Sequence, residues 1–161
     1  MISFRDKVEI RTTPRRLFCW LGRLPEVYAA WHPDHVACRV VSGSMLEVGS
    51  VIECEEYLHG KLHSMRLRMT KSIPDRRIEY VIQGMGRGAF EAEVDRDTVG
   101  FIAELDIGLN APIVGRLFDL IFHWVFPRRI EAMRQHMAEE GQNLKAILES
   151  GELAIGDLDA A

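Results

Sequence analysis

Apolar residues in the last third of the chain recur at the spacing of an α-helix. Between Arg128 and Ser150 they form one stripe with intervals of three and four residues, made of Ile130, Met133, Met137, Leu144, Ile147 and Leu148. The sequence therefore predicts a long amphipathic helix that Gly151 ends. The next position of the stripe after Met137 is 140, and it holds a glutamate, Glu140. A carboxylate in an apolar stripe is costly unless it is paired or bound.

Alternation of apolar and polar residues fills most of the remaining chain. Residues 3–11 predict a first, half-buried strand, and Thr12-Thr13-Pro14 predicts the start of a short helix. A second short helix begins at Pro25 and ends at Pro33. From His35 onward, alternating segments separated by turns, one of them at His59-Gly60, predict about six antiparallel strands.

The order of these elements predicts one α+β domain. A curved antiparallel sheet with one apolar face needs a cover, and the long C-terminal helix is the only predicted element large enough to provide it. The sheet would wrap around that helix and leave a cavity between them. We assign residues 1–151 to this domain and expect 152–161 to form a flexible acidic tail.

Composition narrows the classes of function. The 161 residues carry a net charge of −4, which argues against a nucleic-acid-binding surface. Three cysteines without a CxxC pair fit a reducing cytoplasm. The first residues do not resemble a signal peptide, and the apolar run 117–126 is too short to span a bilayer. We therefore expect a cytoplasmic protein, with this run in the core or at the surface of a homodimer.

Polar side chains interrupt the apolar faces of the predicted strands. Glu56 falls on the face that its strand otherwise gives to apolar residues, and His63 does the same in the following strand. Tyr80 also points inward by its alternation. A purely structural core has no need of these groups together with Glu140. The pattern therefore predicts a functional cavity.

Histidines add candidate metal ligands. The corner Trp31–His35 contributes His32 and His35, although a lone histidine near a helix end is more often a surface or capping residue. On the long helix, His136 lies one turn before Glu140 and projects from the same face. On its own, this pair is equally consistent with a position at the edge of the apolar stripe, where Glu140 reaches water and pairs with His136 or an arginine.

Taken together, these residues suggest a metal site. One corner histidine with Glu56, His136 and Glu140 would make a set of two nitrogen and two oxygen donors. Such a set suits Zn²⁺ or a similar divalent ion, with room for a water or a substrate oxygen.

The order of elements resembles the helix-grip fold shared by START-like lipid carriers, the birch-pollen-allergen family and polyketide cyclases (the SRPBCC superfamily). The WHP-x-H corner, the inward glutamate of EEY and the H-x-x-x-E pair together resemble the diacetylphloroglucinol hydrolase and phloretin hydrolase family. Those enzymes cleave a carbon–carbon bond beside an aryl ketone with a zinc ion. The chain is shorter than those hydrolases, which puts their substrate-recognition segments in doubt.

This resemblance implies a ligand set and a mechanism. The ligands would be Glu56, His136, Glu140 and either His32 or His35, the latter favoured because it begins a strand. The metal would polarise a carbonyl and activate a water that attacks the ketone carbon. A proton for the leaving ring would come from His63, Tyr80 or the spare corner histidine. An apolar pocket for the aromatic substrate would be lined by Met65, Met69, Phe90 and Phe101.

A different class of function fits the same fold. The chain could be a non-catalytic carrier or sensor, or a metal-free cyclase, for a small hydrophobic ligand. Fold alone does not decide between these functions. The metal content of the purified protein separates the two classes.

Overall fold

The computed structural model describes residues 2–58, 60–108 and 127–151, with Pro127 described by its backbone alone. These residues form seven strands and three helices: β1 (Ile2–Ile10), α1 (Pro14–Gly22), α2 (Leu24–Trp31), β2 (His35–Ser42), β3 (Val51–Leu58), β4 (Lys61–Ile73), β5 (Arg77–Ile82), β6 (Gly86–Asp95), β7 (Thr98–Ile107) and α3 (Pro127–Ser150). The predictions for His59, the apolar run 117–126 and the tail 152–161 lie outside the described residues. None of the described helices is both long and apolar enough to cross a bilayer.

The strands form one antiparallel sheet in the order β1-β7-β6-β5-β4-β3-β2. The sheet is curved, and the long helix α3 completes the helix-grip fold, as the sequence predicted. Apolar side chains of β1 and of the helix stripe are buried together with those of α1 and α2 in one core. The alternation that predicted each strand thus also gives the sheet its inner face.

Helix α3 lies close against the sheet at Gly141. A Cβ atom at this position would lie 2.9 Å from Asp6 Oδ2 and 3.3 Å from Val8 Cγ1, both on β1. Because a side chain would not fit without a shift, glycine lets the helix backbone come down onto the strand. This close contact positions the neighbouring Glu140, which lines the cavity between the helix and the sheet.

Trp31, at the end of α2, ties the corner Trp31–His35 to helix α3. Its indole Nε1 donates a hydrogen bond to the main-chain oxygen of Glu140 over 2.9 Å. Its ring packs edge-on against Trp20 and Phe90, with centroids 5.3 and 6.0 Å apart. The corner histidines are therefore held beside the helix face that carries Glu140.

We expect Gly88→Ala to destabilise the fold, because the ring of Tyr80 lies over Gly88, its partner on β6. A Cβ there would lie 2.5 Å from Cζ of that ring. Overpacking of this kind costs about 1–3 kcal/mol of the free energy of unfolding, which urea denaturation measures.

Gly22→Ala is the matched control, because its Cβ would meet Leu46 Cδ1 at an ordinary 3.8 Å. Alanine in a helix gains up to about 1 kcal/mol over glycine, so this variant should be unchanged or more stable. An unchanged Gly88→Ala protein would contradict the close packing of Tyr80 on β6.

Candidate functional site

A cavity of about 120 Å³ lies between α3 and the inner face of the sheet. Most of its wall is apolar and includes Met65, Phe90 and Ala103. An engineered protein cavity of about 150 Å³ with an apolar wall binds benzene. The space is therefore close to the size of a single aromatic ring.

Carboxyl and imidazole groups meet at one end of this cavity, which Glu56, His136 and Glu140 line. Behind them, Nε2 of the buried His35 lies 3.0 Å from Glu140 Oε1 and 3.6 Å from Glu56 Oε2. His136 Nε2 is 3.7 Å from the same oxygen of Glu140. The structure thus brings His35, Glu56, His136 and Glu140 together from β2, β3 and α3, as the predicted ligand set requires.

Both of these histidines turn Nε2 toward the carboxyl groups because Nδ1 faces an acceptor. His35 Nδ1 donates to the main-chain oxygen of Tyr28 over 3.2 Å, and His136 Nδ1 lies 3.8 Å from Asp34 Oδ2. An acceptor at Nδ1 fixes the tautomer and leaves a lone pair on Nε2, as is common for metal-binding histidines. Among the described residues, His35 Nε2 has no hydrogen-bond partner.

Tyr28 holds both His35 and Glu56 in place. Its hydroxyl donates to Glu56 Oε2 over 2.8 Å, and its ring is stacked on the imidazole of His35 with centroids 4.0 Å apart. Burial raises the pKa of Tyr28, so the hydroxyl remains a donor. The sequence reasoning missed this residue, although a tyrosine in the short apolar helix α2 needs a partner for its hydroxyl when buried.

His32 lies near the cluster, but both of its nitrogens already have partners. Its Nδ1 accepts from the backbone N–H of Asp34 over 3.1 Å, so Nε2 carries the proton and donates to Glu139 Oε2, also over 3.1 Å. Donor atoms of His32, His35 and His136 lie within 4.8 Å of one another. The unpartnered Nε2 nevertheless favours His35 over His32 as the corner ligand.

Asp34 and Glu139 were also missed as residues of the site. Asp34 lies inside the WHPDH corner, and Glu139 directly precedes Glu140, so both were visible as neighbours of candidate ligands. Their roles depend on contacts between the corner and α3, which no spacing along the chain reveals.

Burial drives the groups of this cluster toward their neutral forms. It raises the pKa of Glu140 to about 7 and also raises that of Glu56. It lowers the pKa of His35 to about 4 and also lowers that of His136. A proton on Glu140, or a cation between Glu140 and His35, would offset the repulsion between the lone pairs that face each other at Glu140 Oε1 and His35 Nε2.

The structure does not support His63 as an inward proton donor. His63 is the register partner of Glu56, but the first four residues of β4 are all exposed. It is not among the described residues that line the cavity. Alternation gave the face of the strand correctly, but at this end of β4 that face is open to solvent.

Of Tyr80 and the four predicted pocket residues, some line the cavity and others lie in the solid core. Tyr80, Met65 and Phe90 line the cavity, and burial raises the pKa of the Tyr80 hydroxyl. Met69 and Phe101 are buried in the core and are not among the described lining residues, which corrects their assignment to the pocket. A strand alternation identifies inward side chains but does not distinguish a cavity wall from solid core.

Comparisons with known proteins show the fold. No protein-family model and no curated protein sequence matches the chain. Among solved structures, a START superfamily protein from Mycobacterium smegmatis has a TM-score of 0.67 at 12% identity, covering 92% of this chain and 97% of that one. The Zhui aromatase/cyclase from Streptomyces sp. R1128 has a TM-score of 0.61 at 13% identity, covering 93% and 98%. The Aha1 dimer from Colwellia psychrerythraea has a TM-score of 0.61 at 18% identity, covering 94% and 99%.

These likenesses extend to START proteins and to an aromatase/cyclase. They do not single out the diacetylphloroglucinol and phloretin hydrolases, so the predicted resemblance holds at the level of the START-like fold. At identities of 12–18%, these likenesses show the fold alone.

In protein freed of divalent ions by a chelator, we expect Glu140 to lower stability at neutral pH. A carboxyl whose pKa is raised from 4.5 to about 7 keeps its proton in the folded chain while the unfolded chain ionises. The free energy of unfolding therefore falls as pH rises through this range and stays low above it. Glu140→Gln removes the effect, so its advantage over the unaltered protein should grow from near zero at the lower end to about 3 kcal/mol above the upper end.

Urea denaturation across this pH range measures the difference. His35 acts in the opposite direction, because its lowered pKa makes stability fall as pH drops from 6.5 toward 4. The full effect of Glu140 is therefore read above pH 7, where His35 is neutral in both the folded and the unfolded chain. Glu139→Gln, at a side chain that is 49% exposed, is the control and should show no such growth. A Glu140→Gln difference that does not vary with pH would contradict the burial of this carboxyl group.

Proposed function

We propose that this protein binds a small aromatic molecule, whose ring occupies the cavity and whose polar substituent faces Glu56 and Glu140. The observation that carries the proposal is an apolar, ring-sized cavity that ends on a buried carboxyl and imidazole cluster. The START-like fold supports it, since a START protein and an aromatase/cyclase share the architecture. Carrier and cyclase functions both begin with this binding step.

The size and wall of the cavity favour an aromatic occupant. Pockets for drug-sized ligands measure about 300–1,000 Å³, so a cavity of about 120 Å³ suits a smaller molecule. The rings of Tyr80 and Phe90 have centroids 5.6 Å apart, and Met65 adds a polarisable sulfur to the same wall. Aromatic rings and methionine sulfur pack favourably against another ring.

The polar end favours a hydroxyl or carbonyl substituent. Burial raises the pKa of Glu140 to about 7, so near neutral pH its carboxyl can donate to a carbonyl oxygen when protonated or accept from a phenol when ionised. Glu56 offers a second acceptor, held by the hydroxyl of Tyr28. A neutral phenol or aryl ketone satisfies these groups without bringing a charge into the cavity.

Binding is tested by calorimetric titration of chelator-treated protein with phenol and with acetophenone. We expect saturable binding with Kd of about 0.1–1 mM. Ala103→Leu fills the apolar wall and should weaken binding by at least about tenfold, while Val94→Leu, at a side chain that is 66% exposed, should leave it unchanged. Equal affinities for both variants, with folding checked by circular dichroism, would contradict binding in this cavity.

A second proposal, favoured by the unpartnered His35 Nε2, is a divalent ion such as Zn²⁺ held by His35, Glu56, His136 and Glu140. The donors fit such an ion, because two imidazole nitrogens and two carboxylates are a common zinc set. An ion bound there would supply Lewis-acid chemistry toward a substrate carbonyl. Hydrolysis of an aryl ketone, which the hydrolase resemblance implies, is the activity that this candidate would have.

The surrounding residues supply what such a site needs. The main-chain oxygen of Tyr28 orients His35, and the carboxylate of Asp34 orients His136. Outer contacts of this kind hold a ligand's tautomer and direction. The hydroxyl of Tyr80, whose pKa is raised by burial, keeps a proton at the cavity wall.

We expect Glu140→Gln to bind zinc at least about tenfold more weakly than the unaltered protein. Elemental analysis after dialysis of tag-free protein loaded with Zn²⁺ measures the zinc that each protein keeps. Glu139→Gln is the matched control on the same helix turn, because Glu139 bonds Gln135 and His32 instead of facing the cavity. Equal losses from both variants would exclude the metal site. Phenol binding by metal-free protein would stand independently of that result.

A further inference from the structure

Two cysteines face each other across the strands β2 and β3. Cys38 and Cys54 are register partners, and their Sγ atoms lie 3.5 Å apart. Both thiols are free and buried. Cys54 also borders the cavity, which gives a small oxidant a path to the pair.

We propose that Cys38 and Cys54 form a reversible oxidation site, at which hydrogen peroxide converts the two thiols into a disulfide between β2 and β3. The two strands stay paired in both states. This site is separate from the residues proposed to bind the ligand or a metal.

The backbone geometry admits the bond. Residues directly opposite each other in antiparallel strands have Cα atoms about 4.5 or 5.5 Å apart, within the disulfide range of about 4.4–6.8 Å. The sulfur atoms need only close from 3.5 Å to the bonded distance of about 2.05 Å. Among the described strands, β2 is at the edge of the sheet. Register shifts between His35 and Ala37 and between Val40 and Ser42 loosen the pairing on both sides of Cys38.

The hydrogen bond between the thiols makes them unequal. Cys54 donates to Cys38, and this bond lowers the pKa of the Cys38 thiol. Because the thiolate is the attacking species, Cys38 is the first nucleophile.

The reaction balances with the peroxide as oxidant. The Cys38 thiolate attacks the O–O bond, forming an S–O bond and releasing hydroxide. Cys54 sulfur then attacks the sulfenic sulfur of Cys38, so that the S–S bond forms as the S–O bond breaks and a second hydroxide leaves. The two thiol protons convert both hydroxides to water, and the peroxide gains the two electrons that the sulfurs lose.

The bond would act on the neighbouring cluster. Glu56 follows Cys54 on the same face of β3 and is the register partner of His35 on β2. A covalent tie at Cys38 and Cys54 therefore fixes the spacing of the strands that carry His35 and Glu56, now 3.6 Å apart at Nε2 and Oε2.

The test is peptide mapping of the full chain after treatment of the reduced protein with hydrogen peroxide. Denaturing alkylation and mass spectrometry should find the Cys38 peptide linked to the Cys54 peptide, with Cys19 still alkylated. Dithiothreitol should restore both thiols. An absence of linked peptide, or linkage that involves Cys19 instead, would overturn the proposal.

Single variants test the order of attack. In Cys54→Ser the sulfenic acid of Cys38 cannot be resolved, so dimedone should label Cys38 heavily. In Cys38→Ser we expect at least about tenfold less label on Cys54, because Cys54 donates the hydrogen bond of the pair and Cys38 accepts it. Cys19→Ser is the control and should link like the unaltered chain. Equal labelling of Cys54 in Cys38→Ser would overturn Cys38 as first nucleophile, and the map of the unaltered protein decides the disulfide itself if a variant fails to fold.

Discussion

The contact between His35 Nε2 and Glu140 Oε1 is the constraint on which the rest of the site depends. Two groups with lone pairs lie 3.0 Å apart in a buried place, which is unfavourable unless a proton or a cation lies between them. The fold enforces the contact from both sides. Trp31 binds the backbone of Glu140, and the carbonyl of Tyr28 directs the imidazole of His35. The corner and the helix therefore meet around a position at which a positive charge or a shared proton would be stabilised.

This arrangement costs stability that an apolar core would not. Glu56 and Glu140 occupy positions where the strand and helix patterns expect hydrophobic side chains, and burial raises the pKa of both. Replacing buried ionisable groups with well-packed apolar ones is often neutral or stabilising. Packing alone gives no reason for these groups at the end of a ring-sized cavity, which supports the proposal that they serve binding or chemistry.

Much of this could be predicted from sequence because it depends on local periodicity. The apolar stripe of α3 identified Glu140 as a polar exception, and the alternation in β3 identified Glu56 in the same way. A shift of one residue would have moved each strand side chain to the other face, so the pattern fixes the face. Depth does not follow from periodicity, which is why His63 proved exposed and Phe101 proved to be core. The roles of Tyr28 and Asp34 depend on contacts between elements far apart in sequence.

The same geometry explains how two proposed occupants can share one end of the cavity. Metal ligands must be deprotonated, so an ion between His35 and Glu140 displaces the proton that burial keeps on Glu140 near neutral pH. A phenol or ketone in the cavity approaches the other side of that carboxyl and meets either a proton donor or an electrophilic ion. The apolar wall of Met65 and Phe90 is unchanged in both cases. Under these two proposals, the state of this single position would decide whether the cavity holds a neutral molecule by hydrogen bonding or activates its carbonyl.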